Sequence, residues 1–185
     1  IPLLVDILTS SYQNPRRHQI LTQVASIIGQ LCNDTDTRHI LSDEALYPVV
    51  PCLLWVFDGS VPNTPLKTKV LFALRQLCIV PMNKDRVGQH AIPKILDELC
   101  MASPTPQGQE CTMNAILLLI MLASISSNAQ MMALGDRLDD VLVEGGLQVG
   151  EKGNATRATH KGFSVELWKK VEELKTKVQK AVNMQ

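Results

Sequence analysis

The chain has 185 residues, with 18 Lys plus Arg balanced by 18 Asp plus Glu, so no global field draws it to nucleic acid or an anionic membrane surface. Aromatic residues make up only 4% while aliphatic ones abound, which suits helices packed by Leu, Ile and Val rather than a β-sandwich. The longest apolar run, Ala115 to Ala123, falls far short of the roughly 18 residues a spanning helix requires, so no integral membrane segment is expected.

The chain opens at Ile1 with no Met, basic leader or signal-like region, already inside an amphipathic pattern, and is expected to be an excised or truncated piece. Pro2 stands at a first helical position, with Leu4, Ile7 and Leu8 on one face, predicting a short helix. After the turn-rich Thr9 to Pro15, the spacing of Ile20, Val24, Ile27, Ile28 and Leu31 predicts a second helix. Asn33-Asp34-Thr35-Asp36 ends it with residues that favour caps and turns.

Thr37 to Leu46 reads as a short helix, and Val50 to Phe57 as the next, with Pro51 standing where Pro2 stood. Asp58 to Pro65 is a loop, followed by an apolar-striped helix over Leu66 to Val80. Asn83 to Pro93 closes that unit, with a short helix over Lys84 to Ala91. Pro93 opens another over Lys94 to Met101, and a long helix spans roughly Gln109 to Ile125. Ala129 to Leu134 and Leu138 to Val143 read as two further helices of a fourth unit that does not complete. Gly145 to Gly162 reads as a flexible loop, and Ser164 to Val182 as a helix with Leu167, Val171, Leu174 and Val178 on one seam.

The long helices repeat. Ile27-Ile28-Gly29-Gln30-Leu31-Cys32 returns as Ala73-Leu74-Arg75-Gln76-Leu77-Cys78 and again as Leu118-Leu119-Ile120-Met121-Leu122-Ala123. Leu31 to Leu77 is 46 residues and Leu77 to Leu122 is 45. A steady period in the forties carried by helices is the pattern of stacked helical repeats, and about three units are the minimum for a continuous core. The expected division is 1–143 for the repeats (about 1–36, 37–82, 83–127 and a partial 128–143), a Gly-rich loop over 144–162 and a C-terminal helix over 163–185.

Three helices per unit, a Pro opening the second, an Asn-rich break after the third and this period resemble armadillo repeats, with the two-helix HEAT repeats as near neighbours. Asn83 to Pro93 is the closest stretch. The resemblance covers Ile1 to about Val143 and implies an all-α solenoid whose third helices line a concave groove. Peptide-binding members resemble one another in a Trp, then three residues, then an Asn just before the repeat's Leu. Carried onto this chain, the Asn positions are Gln30, Gln76 and Met121, the Trp positions are Ser26, Phe72 and Leu117, and one turn further back stand Gln23, Lys69 and Asn114. A Gln donates and accepts as Asn does, whereas Met121 does neither as an amide would, and only Phe72 supplies an aromatic wall. The groove so drawn passes from polar to apolar, a change suited to an amphipathic helix laid across its far end.

The C-terminal helix is itself such a helix. Covering the last repeat is the favoured expectation, since terminal repeats need a capping face. Homodimerisation as a coiled coil is the alternative, and membrane-surface binding a weaker one because Glu166, Glu172 and Glu173 dilute the lysines.

Five cysteines, Cys32, Cys52, Cys78, Cys100 and Cys111, lack CxxC spacing and a His at zinc-ligand spacing, so free thiols in a reducing, cytoplasmic setting and no metal are expected. No cofactor is expected either, because Gly145 to Gly153 has Glu151 where a phosphate loop has Lys. Asn154-Ala155-Thr156 fits the glycosylation pattern only by chance, and Met113, Met131 and Met132 read as packing. His18, His39, His90 and His160 are scattered and no catalytic motif is present, so no enzymatic activity is expected. The expected role is a protein-binding scaffold or adaptor that takes a peptide or helix in the groove. The alternative is a structural assembly subunit, cytoskeletal or ciliary, that docks through its C-terminal helix.

Overall fold

The computed structural model describes residues 1–9, 16–62, 64–134, 137–144 and 164–184. Among them are ten α-helices and no strand: α1 (Pro2–Thr9), α2 (Arg17–Leu31), α3 (Thr35–Ser42), α4 (Val49–Gly59), α5 (Pro65–Leu77), α6 (Pro81–Cys100), α7 (Pro106–Leu122), α8 (Ser126–Ala133), α9 (Arg137–Glu144) and α10 (Val165–Asn183). The expected loop over 144–162, with its glycine run and Asn154, lies outside the described residues apart from Glu144.

The helices pack in two rows. In one, α2 lies against α5, α5 against α7 and α7 against α10; in the other, α1 lies against α4, α4 against α6 and α6 against α9. A single apolar cluster runs through both rows, from Leu8 and Leu21 to Leu174 and Val178. Three members of the first row start alike, with a hydroxyl that takes the N–H three residues on: Thr64 from Lys67 at 3.3 Å, Thr105 from Gly108 at 3.2 Å and Ser164 from Leu167 at 3.3 Å. Pro65 and Pro106 follow two of those caps, where a missing N–H costs nothing. These starts are also tied side by side. Gln107 donates to Thr68 Oγ1 at 2.7 Å and the Ser164 N–H donates to Gln109 Oε1 at 3.1 Å, so α5, α7 and α10 begin at one edge and run parallel.

The ends repeat as well. After α2, α5 and α7 the chain turns through matching backbone bonds, Asn33 to Gln30, Ile79 to Gln76 and Ser124 to Met121. In each unit a side chain then reaches back six residues to a carbonyl near the helix end: Arg38 to Cys32 (2.7 Å), Asn83 to Leu77 (2.8 Å) and Asn128 to Leu122 (3.2 Å). Carbonyls there have no partner within their own helix, and these donors supply one. Asn83 and Asn128 are buried and also bond the preceding unit, at Ser42 Oγ (2.8 Å) and the Lys84 carbonyl (3.0 Å).

One element differs from expectation. The short helix over 84–91 and the one opening at Pro93 are a single helix, α6, with Pro93 inside it. An internal proline removes one backbone bond and crowds the carbonyl four residues back. Against that stands a continuous buried stripe, Val87, Gly88, Ala91, Ile92, Ile95, Leu96 and Leu99, which keeps one face against the core through the proline. The C-terminal helix, in turn, stands next to α7 in the first row and also packs on α8, with Leu167, Val171, Leu174 and Val178 buried. Lys175 pairs with Asp139 of α9 at 3.1 Å.

Candidate partner-binding surface

The nine residues of the expected groove fall on three neighbouring helices of the first row: Gln23, Ser26 and Gln30 on α2, Lys69, Phe72 and Gln76 on α5, Asn114, Leu117 and Met121 on α7. Their exposure declines along the row. Gln23 and Gln30 are exposed and Ser26 half-buried; Lys69, Phe72 and Gln76 are all half-buried; Asn114 is buried, and Leu117 and Met121 are half-buried and packed on the core. Polar groups with open access therefore belong to α2 and α5. The Asn114 amide is spent within α7, donating to the Glu110 carbonyl at 3.1 Å.

The ring of Phe72 sits over Gly29 of α2 so closely that a Cβ at Gly29 would fall 2.4 Å from ring carbons. Gly29 is thus the residue that admits the ring between α2 and α5. Beside it the Arg75 guanidinium lies 5.2 Å from the ring centroid, and burial lowers its proton affinity. Lys69 reaches Glu110 of α7 at 2.9 Å. A cleft of about 330 Å³ opens beside Gln23, where His18, Thr22, Thr64 and Leu66 also line it. A site of amides, a hydroxyl and one aromatic face can hold peptide backbone and a side chain by hydrogen bonds and contact.

Two features escaped the sequence reading. Lys67, on the buried face of α5, donates to the Phe57 carbonyl at 2.6 Å, stands 3.9 Å from the Phe57 ring centroid and pairs with Glu98 of α6. Burial pushes the Glu98 carboxyl above its ordinary range, and Lys67 partly offsets this. The only sequence signal was a Lys between Leu66 and Thr68 on an otherwise apolar stripe. On the second row, Asp58 of α4 takes hydrogen bonds from Lys94 at 2.5 Å and from His90 at 3.1 Å on α6, near the half-exposed Trp55, whose ring has the Arg17 guanidinium 5.4 Å from its centroid. Burial opposes ionisation of Asp58, but Lys94 and His90 outweigh it and hold the carboxyl below its ordinary value.

The five cysteines are free. Burial raises Cys32 to about 11 and Cys78 to about 12, so neither supplies a thiolate near neutral pH. Among the described residues no group of three or more His, Cys, Asp or Glu is placed to hold a metal ion, and no helix is long and apolar enough to cross a membrane.

No family model, curated protein or solved structure matches the chain.

Proposed function

We infer that the chain is a non-enzymatic adaptor of the armadillo type, cytoplasmic by its free cysteines, which binds an extended segment or helix of a partner protein across α2 and α5. The observation that carries this reading is the return of one amide at the same position on two packed helices, Gln30 on α2 and Gln76 on α5, 46 residues apart. Amides on adjacent helices offer donors and acceptors that a peptide backbone can use. The period, the prolines and the Asn-capped turns support the armadillo assignment, and the two rows of helices agree with it. In this reading α8, α9 and α10 form a fourth unit whose third helix arrives late in the chain, after the long insertion. The α10 seam is buried on α7 and α8, so a homodimer through it would require α10 to leave its place.

The test is selection of displayed peptides on the purified chain, followed by titration of a selected peptide against Gln30→Ala, Gln76→Ala and Phe72→Ala. Each substitution should weaken binding by about threefold to thirtyfold, the loss of one hydrogen bond or one aromatic contact. Undiminished affinity in all three, with helical content intact by circular dichroism, rejects the α2–α5 surface.

A further inference from the structure

The three helices that carry the groove residues are almost without acid. α2 and α5 contain no Asp or Glu, and α7 contains only Glu110. Two of the three cations on α5 reach a carboxylate on a neighbouring helix, Lys67 at Glu98 of α6 and Lys69 at Glu110 of α7. The third, Arg75, does not. Among the described residues it has neither an ion pair nor a hydrogen bond, and its guanidinium lies against the Phe72 ring, 5.2 Å from the centroid. Arg75 is half-buried, so its charge stands partly out of water and is met by one aromatic face. Burial lowers its proton affinity with no neighbouring carboxylate acting against it.

The repeat does not call for a cation there. Forty-six residues back the same position is Gly29, and forty-five on it is Ile120, which is 6% accessible. Packing of the units is thus served by apolar residues at this place. A long cationic side chain often lays its stem on apolar surface and keeps its head in water, which accounts for a half-buried Arg in general. This one follows Phe72 by three residues and precedes Gln76, in the middle of the α2–α5 surface. A ring on one face of a guanidinium leaves its in-plane N–H donors available, and these form the fork that a carboxylate accepts two at a time.

We propose that Arg75 is the anion-recognising residue of the α2–α5 surface, and that the partner segment presents an Asp or Glu side chain to it. The proposal rests on the reading of α2 and α5 as the binding surface and adds the charge of what binds there: a carboxylate on the guanidinium, beside backbone held by the amides of Gln30 and Gln76. A basic segment is disfavoured, because it brings like charge to Lys69 and Arg75, while Glu110, the one carboxylate of the three helices, is already engaged by Lys69.

The test selects a random-peptide display library in parallel on the chain and on Arg75→Met, which keeps an unbranched stem and removes the charge. A peptide selected on the chain is then titrated against the chain, Arg75→Met, Arg75→Lys, Gln30→Ala, Gln76→Ala and Phe72→Ala, all with helical content checked by circular dichroism. Its counterparts, with each Asp changed to Asn and each Glu to Gln in turn, are titrated beside it. One such change should weaken binding to the chain by about tenfold to a hundredfold, the loss of a charge-assisted hydrogen bond. Against Arg75→Met the same change should matter by less than about twofold, while Arg75→Lys keeps part of the discrimination. Peptides that lack a carboxylate, or lose nothing when every carboxylate becomes an amide, overturn the Arg75 assignment; weakening by Gln30→Ala, Gln76→Ala or Phe72→Ala in the same titrations leaves the α2–α5 surface standing. An Arg75→Met loss that is equal for acid and amide peptides makes Arg75 a packing residue and also overturns it. Indifference to all three of those surface substitutions rejects the surface and the proposal together.

Discussion

At the scale of single residues, the Lys67–Glu98 pair is a buried charge couple whose worth depends on both partners. Lys67→Met leaves Glu98 buried without its cation and should cost about 3–5 kcal/mol in urea unfolding, whereas Lys67→Met with Glu98→Leu should recover most of that loss. The pH dependence has a definite sign. Glu98 is shifted upwards by burial, so its protonated form is favoured in the folded state, and the stability this gives is present at low pH and lost as pH rises through the shifted value. Without Lys67 the upward shift grows. The stability gap between wild type and Lys67→Met should therefore widen from about pH 5 to about pH 8. Gly29 sets a second test: Gly29→Ala gains up to about 1 kcal/mol of helix propensity but drives a methyl into the Phe72 ring, for a net loss of about 1–2 kcal/mol. Pairing it with Phe72→Leu should relieve part of that clash, read as a coupling energy in a double-mutant cycle.

At the scale of elements, the carbonyl caps explain why the units close alike. Asn83→Ala removes the donor to Leu77 and to Ser42 together and should destabilise by about 1–3 kcal/mol, with Asn128→Ala similar. Unfolding of the two variants by urea checks this. Nine of the ten helices among the described residues stand where apolar spacing placed them, within a few residues, because a face buried on one side writes its period into the sequence. Pro93 was misread because local rules treat an internal proline as a boundary, while the stripe from Val87 to Leu99 lies on one face through it. That Gln23, Ser26 and Gln30 fall on a helix packed against the one carrying Lys69, Phe72 and Gln76 was legible from the repeat itself; the burial of Asn114 was not, since only packing decides it. The caps had a trace, Asn83 and Asn128 standing 45 apart, but Arg38 at the corresponding place concealed the pattern.

At the scale of the whole molecule, α10 closes the row. Deleting residues 163–185 uncovers α7 and α8, and burial of each of Leu167, Val171, Leu174 and Val178 is worth about 1.5–3 kcal/mol. Amide exchange in α7 and α8 should accelerate in the shortened chain while α2 changes little. Exchange in α2 and α5 accelerating equally would mean that stability is shared across the rows rather than passed between neighbours.

The two-row arrangement also bears on how the chain comes apart. Its main contacts join each helix to those of its own unit and the next, so few loops of great length must close before packing is rewarded, and folding should be fast for a chain of this size. The same locality weakens cooperativity. Each neighbour interface carries its own free energy, and the end of the row that lacks a neighbour is the one that frays. Melting followed at Trp55, near the α2 end, should precede melting followed at Trp168 on α10, and a single midpoint would not describe the molecule.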